Sequence, residues 1–317
     1  MEKYEEQRLL VKIARMYYED DMTQSAIAKD LGIYRTTISR LLKKAREDGI
    51  VTIKIRDNIS QNFDLERKLE KLFHLKEVIL VPTTDEQTEG EKKKALGKAG
   101  AELLKRIVKD EDVIGFAWGS TLASMVGQVS DPKKRNLDFV PLVGGPGTMD
   151  AKYHVNTITY NMANDIGGTP HFIDAMAVVE RKETKEDIVS SNYFKKIKKL
   201  WDDLTIAVVG IGAPLKSSNM IWTGFYGDRD VKALEKANGI GDICSRFFDE
   251  NGRIIDTELH DRTIAIELER LKSLNYSIGI AESIEKVPSI IGALKGEFIN
   301  ILVTTDETAS NILERME

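Results

Sequence analysis

The sequence predicts an α/β protein in two parts, a small winged helix-turn-helix unit followed by a larger, doubly wound, mostly parallel sheet. Two observations separate the parts. Up to about residue 49 apolar residues recur at helical spacing, interrupted by Gly32 and Gly49. From residue 76 onward short apolar runs alternate with helical stretches, the rhythm of βαβ units. A third observation concerns the larger part alone: its apolar runs end in turns rich in Gly, Ser and Thr.

Taken in order, residues 5–19 set Leu9, Leu10, Ile13, Ala14 and Tyr17 on one stripe and predict an amphipathic helix. Residues 23–31 and 34–48 predict two more helices, parted at Gly32 and stopped by Gly49. Residues 50–55 (IVTIKI) then read as a strand, half of a wing. Residues 60–74 carry Phe63, Leu65, Leu69 and Leu72 on one side, predicting a connecting helix of the kind that pairs between subunits. The domain boundaries follow: 1–57 for the helix-turn-helix unit, 58–75 for a linker helix, 76–317 for the body. In the body, EVILVP, DVIGFAW, LDFVPLV, TIAVVGIG, SIGIAE and FINILVTT read as strands. Helices are expected near 90–109, 120–129, 155–166, 229–237 and 285–294, with a last one from Asp306.

Composition narrows the chemistry. The chain has 46 Lys and Arg against 51 Asp and Glu, a net charge of −5 that by itself points away from a polyanion partner. By region the balance differs: residues 1–60 carry +2 and the remainder −7. A single cysteine, Cys244, and four scattered histidines leave no disulfide and no metal-ligand spacing, so no metal is expected. No apolar run reaches the roughly 18 residues of a membrane span and no signal peptide is evident, so a cytoplasmic protein without membrane attachment is expected.

The stretch 23–46 (TQSAIAKDLGIYRTTISRLLKKAR) fits a helix-turn-helix. Ala28 is small where two helices cross, Gly32 supplies the turn, and Ile27, Leu31, Ile33, Ile38 and Leu41 are placed for burial. Thr23 is placed to cap the first helix of the pair. The second exposes Arg35, Thr36, Thr37, Ser39, Arg40, Lys43 and Lys44, with no acidic residue between 31 and 46. Arginine reads guanine edges bidentately, threonine meets base edges or phosphate, and lysine neutralises phosphate. With Thr23, Gln24 and Tyr34, these are the candidate DNA-binding residues. Tyr34 stands where a serine would cap the recognition helix; tyrosine contacts DNA or packs instead.

The second candidate site lies at the carboxyl ends of the strands, where an open α/β sheet binds ligands. The turns are Gly119-Ser120-Thr121, Gly144-Gly145-Pro146-Gly147 and Gly210-Ile211-Gly212, with Asp242 and Lys286 farther on. Glycines admit close backbone approach, helix starts offer N–H groups to an anion, and Lys286 adds a point charge. Neither a G-x-G-x-x-G nor a G-x-x-x-x-G-K-[ST] motif is present, so neither a bound cofactor nor nucleotide hydrolysis is expected.

Read together, the helix-turn-helix, Trp118-Gly119-Ser120-Thr121, Pro141-Leu142-Val143-Gly144-Gly145, Val209-Gly210-Ile211-Gly212, Gly241-Asp242-Ile243 and the tail from Lys286 through Asn300–Thr304 to Asp306-Glu307-Thr308-Ala309 resemble the SorC/DeoR family of sugar-responsive bacterial transcriptional regulators. The likeness spans about residues 8–313. It implies a body similar in fold to ribose-5-phosphate isomerase and glucosamine-6-phosphate deaminase that binds a phosphorylated sugar. It also implies an oligomer, usually a tetramer, on operator DNA. Residues 241–249 and 261–264 look most like the deoxyribonucleoside regulators of the family. Three departures stand out: Tyr34, Glu282-Ser283 where relatives often have Gly-Gly, and Val143 where some relatives have a lysine able to attack an aldehyde. The last favours a noncovalent effector. The alternative is a sugar-phosphate isomerase or deaminase, for which His154 and Asp150 could be nominated as base and acid and Cys244 as a nucleophile. A polar loop residue and a packed small residue are the plainer readings of His154 and Cys244.

Overall fold

A computed structural model describes residues 2–53, 60–84, 86–129, 135–147, 149–215 and 227–317. Two compact units divide the chain, Met1–Asn58 and Ile59–Glu317.

The first unit has three helices, α1 (Glu2–Tyr18), α2 (Gln24–Leu31) and α3 (Arg35–Glu47). Leu10, Ile13 and Met16 of α1 meet Ile27 and Ala28 of α2 and Ile38, Leu41, Leu42 and Ala45 of α3 in one core, with Leu31 and Ile33 partly buried against it. Thr23 Oγ1 accepts the Ala26 N–H at 3.2 Å, the expected cap. Gly32 turns the chain at φ +67°; a side chain there would meet nothing, so the glycine serves the dihedral and not the space. Ile50–Ile53 form no strand: the Val51 N–H bonds back to the Ala45 carbonyl, and Ile50 and Val51 pack on the helical core. The remainder of the expected wing strand, 54–55, lies outside the described residues.

The second unit is built on seven strands: β1 (Glu77–Val81), β2 (Val113–Phe116), β3 (Asp138–Pro141), β4 (Thr169–Pro170), β5 (Ile206–Gly210), β8 (Tyr276–Ile280) and β9 (Ile301–Thr305). Their order is β1-β9-β8-β5-β2-β3-β4, and all neighbours are parallel. The central strands are buried along their whole length, which is why they read as continuous apolar runs. From β2 the chain winds through β3 to β4 at one edge, then restarts with β5 on the other side of β2. The strand order therefore reverses between β2 and β5.

The connecting helices are α5 (Glu89–Ile107), α6 (Ser120–Ala123), α7 (Val155–Ile166), α8 (Lys182–Ser190), α9 (Asn192–Asp202), α10 (Asp228–Lys236), α11 (Glu258–Arg262), α12 (Leu268–Lys272), α13 (Val287–Lys295) and α14 (Asp306–Met316). A short antiparallel hairpin, β6 (Gly241–Ile243) and β7 (Arg246–Phe248), stands apart from the sheet. The helix expected at 120–129 is only one turn of α6 followed by turns.

The expected linker helix forms as α4 (Ser60–Phe73) and packs along edge strand β1. Glu70 accepts the Val78 N–H at 3.0 Å and Glu66 accepts the Leu80 N–H at 2.9 Å. Two carboxylates thus occupy the outward N–H groups that an edge strand would leave open to another chain. Burial raises the pKa of Glu66, and the Leu80 amide opposes it.

Candidate ligand cavity and nucleic-acid interface

At the β2/β5 reversal the loops after β2, β5 and β8 diverge and leave a cavity of about 660 Å³. This is where an open parallel sheet offers a crevice between oppositely wound halves. Its floor is Ala117–Leu122, Gly210–Ala213 and Ile280; Glu282–Lys286 and the β6–β7 hairpin residues Asp242 and Cys244 close one side, and Met149 and Tyr153 also line it.

Local geometry explains several identities. Gly119 takes φ +127°, closed to side chains, where β2 hands over to α6. Gly212 is required by approach: a Cβ there would lie 1.8 Å from Asp242 Oδ1. The Gly212 N–H also donates to the Asp242 carbonyl at 2.8 Å, fixing the hairpin against the loop after β5. Asp242 is 5% exposed. Its Oδ2 accepts the Ser245 N–H at 3.0 Å, while Oδ1 accepts no hydrogen bond among the described residues. Burial pushes its carboxyl up to about 6, against the Ser245 amide and the Lys286 charge. Burial pulls the Lys286 ammonium down, with Lys93 beside it, while Glu282, Asp242 and Glu89 oppose the shift. Ser283 takes φ +117°, a glycine-like conformation.

Of the effector residues expected from sequence, Gly119, Ser120, Thr121, Gly210, Gly212, Asp242 and Lys286 share this cavity. Gly144, Gly145 and Gly147 do not line it. A Cβ on Gly144 would lie 2.6 Å from the Met176 backbone and one on Gly145 would lie 2.5 Å from His154 Nε2, so these two glycines serve packing. Gly147 takes φ +73°, a turn dihedral.

Other charges facing the cavity were not singled out from sequence: Glu89, Lys92 and Lys93 at the start of α5, and Glu307 at the start of α14. Lys92 Nζ lies 3.1 Å from Glu307 Oε2, and Lys93 is hydrogen-bonded to Glu89. The signal was available: α5 begins where β1 ends, the same topological position as the glycine turns. With Glu282, Glu285 and Asp242, five carboxylates and three ammonium groups surround the space.

The residues nominated for catalysis are engaged elsewhere. His154 caps α7 through Nδ1, which accepts the Asn156 N–H at 3.2 Å, and burial lowers its pKa. Asp150 caps the turn that follows it and pairs with Lys152 at 3.0 Å; neither residue lines the cavity. Cys244 is buried and burial pushes its thiol up, away from thiolate reactivity. Val143 is fully buried and bridges Ala265. Among the described residues no group of His, Cys, Asp and Glu is arranged to hold a metal ion, and no helix is long and apolar enough to cross a membrane.

In the first unit, α3 turns Ile38, Leu41, Leu42 and Ala45 inward and leaves Arg35, Thr36, Ser39, Arg40 and Lys43 exposed. Thr37 and Lys44 are half-buried. Tyr34 precedes the helix with 83% exposure and gives no side-chain cap. Thr23 is exposed and Gln24 half-buried at the start of α2. Lys44 bonds Glu6 of α1, which raises its pKa.

Comparison with known proteins agrees with both units. Residues 57–314 match a family model described as "Putative sugar-binding domain", and residues 3–52 match one described as a homeodomain-like domain. The chain is 44% identical over 316 residues to the sorbitol operon regulator of Klebsiella pneumoniae, covering 99% of this chain and 100% of that one. It is 32% identical over 308 residues to the deoxyribonucleoside regulator of Bacillus subtilis (strain 168), covering 96% and 97%. Over the whole chain the likeness to the sorbitol regulator exceeds that to the deoxyribonucleoside regulator. The crystal structure of the full-length sorbitol operon regulator SorC from Klebsiella pneumoniae superposes with a TM-score of 0.76 at 43% identity, over 96% of this chain and 98% of that one. The chain belongs to the SorC/DeoR family of sugar-responsive bacterial transcriptional regulators.

Proposed function

We propose that this chain is a DNA-binding transcriptional regulator of a sugar or nucleoside catabolic operon, controlled by a phosphorylated sugar held in the body's cavity. The observation that carries this reading is the pairing, in one chain, of an exposed basic helix face with a charged cavity at the strand-order reversal. Arg35, Thr36, Thr37, Ser39 and Arg40 face base edges, Lys43 faces phosphate, and Thr23, Gln24 and Tyr34 position the unit on the backbone. Lys44 contributes less than its sequence position suggests, because Glu6 holds it. Gly119, Ser120, Thr121, Gly210, Gly212, Asp242 and Lys286 hold the effector, noncovalently. The protein acts on operator DNA as a homo-oligomer, a tetramer on the family pattern. The effector binds two quaternary states unequally and so shifts DNA affinity.

The test is fluorescence anisotropy on DNA upstream of the chain's own operon, titrated with sugar phosphates. Binding tighter than to random competitor at moderate salt, changed by at least one sugar phosphate, is the expected result. Affinity no better than for random DNA overturns the regulator reading. Turnover of ribose 5-phosphate or glucosamine 6-phosphate would revive the enzymatic alternative.

A further inference from the structure

The two edges of the sheet are finished differently. At the β1 edge, Glu66 and Glu70 occupy the outward N–H groups. At the β4 edge the Thr169 and His171 N–H groups donate inward to the Leu137 and Phe139 carbonyls, at 2.8 and 2.7 Å, and Pro170 between them has no N–H to offer. This edge is closed to another strand without any charge. What lies over it is aromatic. Tyr160 of α7 stacks on Phe172 with ring centroids 6.4 Å apart, and the Tyr193 hydroxyl of α9 donates to the Phe172 carbonyl. Met176 continues the patch: its backbone bridges Gly145, which packs on His154, the cap of α7.

Charge avoids this face. Residues 155–179 hold two charged side chains in 25, Asp165 and Asp174, whereas 31% of the whole chain is charged. Asp165 accepts the Gly127 N–H at 2.6 Å, and Asp174 lies 3.5 Å from the Tyr193 hydroxyl. The outer face of α7 is Asn156, Thr157, Tyr160, Asn161 and Asn164. Among the described residues nothing covers Tyr160, Phe172, Met176 and Tyr193, which are 39–54% exposed. A surface poor in charge and rich in Tyr, Phe and Met has the composition of an interface core. It offers DNA no cation and gives a charged partner nothing to select. Residues 61–317 carry −7, so copies of the body repel at long range, and this is a face on which two copies meet without opposing charges. Helix α7 is about 18 Å long and 169–176 adds a strip of comparable length, so two such faces bury on the order of 1,000 Å², the lower end for a specific interface.

We propose that a second copy of this chain docks on the face formed by α7 and the β4 edge, with Tyr160 and Phe172 at its centre and Met176 and Tyr193 beside them. The contact is two-fold, so one patch serves both copies, and it is made by side chains and not by strand addition. This rests on the reading of the chain as a homo-oligomer and adds to it the face that associates.

Sedimentation of the full chain over a concentration series tests this. Tyr160→Lys and Met176→Lys each place a charge in the patch at a half-exposed position, where folding is at little risk. Each should weaken one association step at least about tenfold, because two-fold symmetry counts the substitution twice. Thiol labelling gives a second readout. The native thiol, Cys244, is buried, so an introduced cysteine reports its own surroundings. In the assembled chain Asn164→Cys should react with a maleimide several-fold more slowly than Lys198→Cys on the outer side of α9, and the difference should vanish on dilution. A parent that is monomeric at every concentration overturns the homo-oligomer reading, and this proposal with it. An oligomeric parent whose association neither lysine variant weakens overturns the face and leaves that reading standing. Equal labelling of the two cysteines in the assembled chain does the same: the face is then open to a different partner.

Discussion

On α3, Arg35 and Arg40 are exposed and make no ion pair among the described residues; in the body's cavity, Lys92, Lys93 and Lys286 each lie beside a carboxylate. Both places are rich in cations, and a sequence shows them alike. The difference follows from what each must bind. DNA presents a dense row of phosphates, and unpaired exposed cations gain affinity by releasing its counterions. A small phosphorylated ligand presents one compact anion to a partly enclosed space, where a half-buried ammonium without a partner would be costly. The cavity therefore holds its cations neutralised in advance.

The sharpest way to break this comparison is at Asp242, the cavity's most buried carboxylate. Its folded pKa of about 6 lies above the 3.8 of an ordinary aspartate. The folded protein therefore binds more protons than the unfolded chain between about pH 4 and pH 6. Stability falls as the pH rises through that window, and the full penalty, at most about 3 kcal/mol, persists above it. Denaturant unfolding across pH 4.5–7.5 should show Asp242→Asn flatter than the parent by an amount of that order. Parallel curves would mean that Asp242 is charged and well solvated when folded, and that the cavity resembles the exposed helix more than it differs from it.

A second test concerns the close approach that holds this carboxylate. Gly212→Ala sets a Cβ within 1.8 Å of Asp242 Oδ1, whose partner oxygen is tied to Ser245. The expected cost is about 2 kcal/mol in denaturant unfolding, with effector affinity reduced. Asp242→Ala in the same chain should recover part of that loss, because it removes the clashing atom. Additive effects would show that the loop after β5 yields without disturbing the hairpin. On the DNA side, Arg35→Ala and Arg40→Ala should each cost operator binding about tenfold or more while leaving random-sequence binding nearly unchanged. Equal losses on both DNAs, measured by anisotropy, would make these arginines phosphate contacts.

What the sequence made legible follows from the same physics. The parallel strands were readable because burial on both faces leaves continuous apolar runs such as 206–209 and 301–303. The recognition helix was readable because Ile38, Leu41, Leu42 and Ala45 keep a helical period. Gly144 and Gly145 misled because glycine answers two needs with one letter: they admit Met176 and His154, whereas Gly119 and Gly212 serve the cavity. The run 50–53 misled because β-branched residues suit a strand and a packed tail equally, and Ile50 and Val51 pack. Lys92 and Glu307 were missed because they lie 215 residues apart and only the sheet order unites them, and Lys93 because its pairing with Glu89 one turn away reads as an ordinary surface pair. Helices α8 and α9 were passed over inside one long crossover, although Phe194, Ile197 and Trp201 of α9 show a plain helical stripe.

The smallest expected effect is also the finest test of loosely against tightly paired cations, because it compares neighbours on one helix. Lys43 and Lys44 are equivalent in sequence. In the structure Lys43 is exposed, with Glu47 3.6 Å away, while Lys44 is half-buried and bonded to Glu6 of α1. Lys43→Ala should weaken operator and random DNA alike and lower the slope of log K against log salt by about 1. Lys44→Ala should leave the slope nearly unchanged, because its charge is already spent on Glu6. Glu6→Gln should then raise the slope by up to about 1, because it returns Lys44 to the phosphates. If Lys44→Ala instead lowers the slope as much as Lys43→Ala, the Glu6 pair opens on DNA. Pairing in the unbound protein would then no longer distinguish the interface from the cavity, and only burial would.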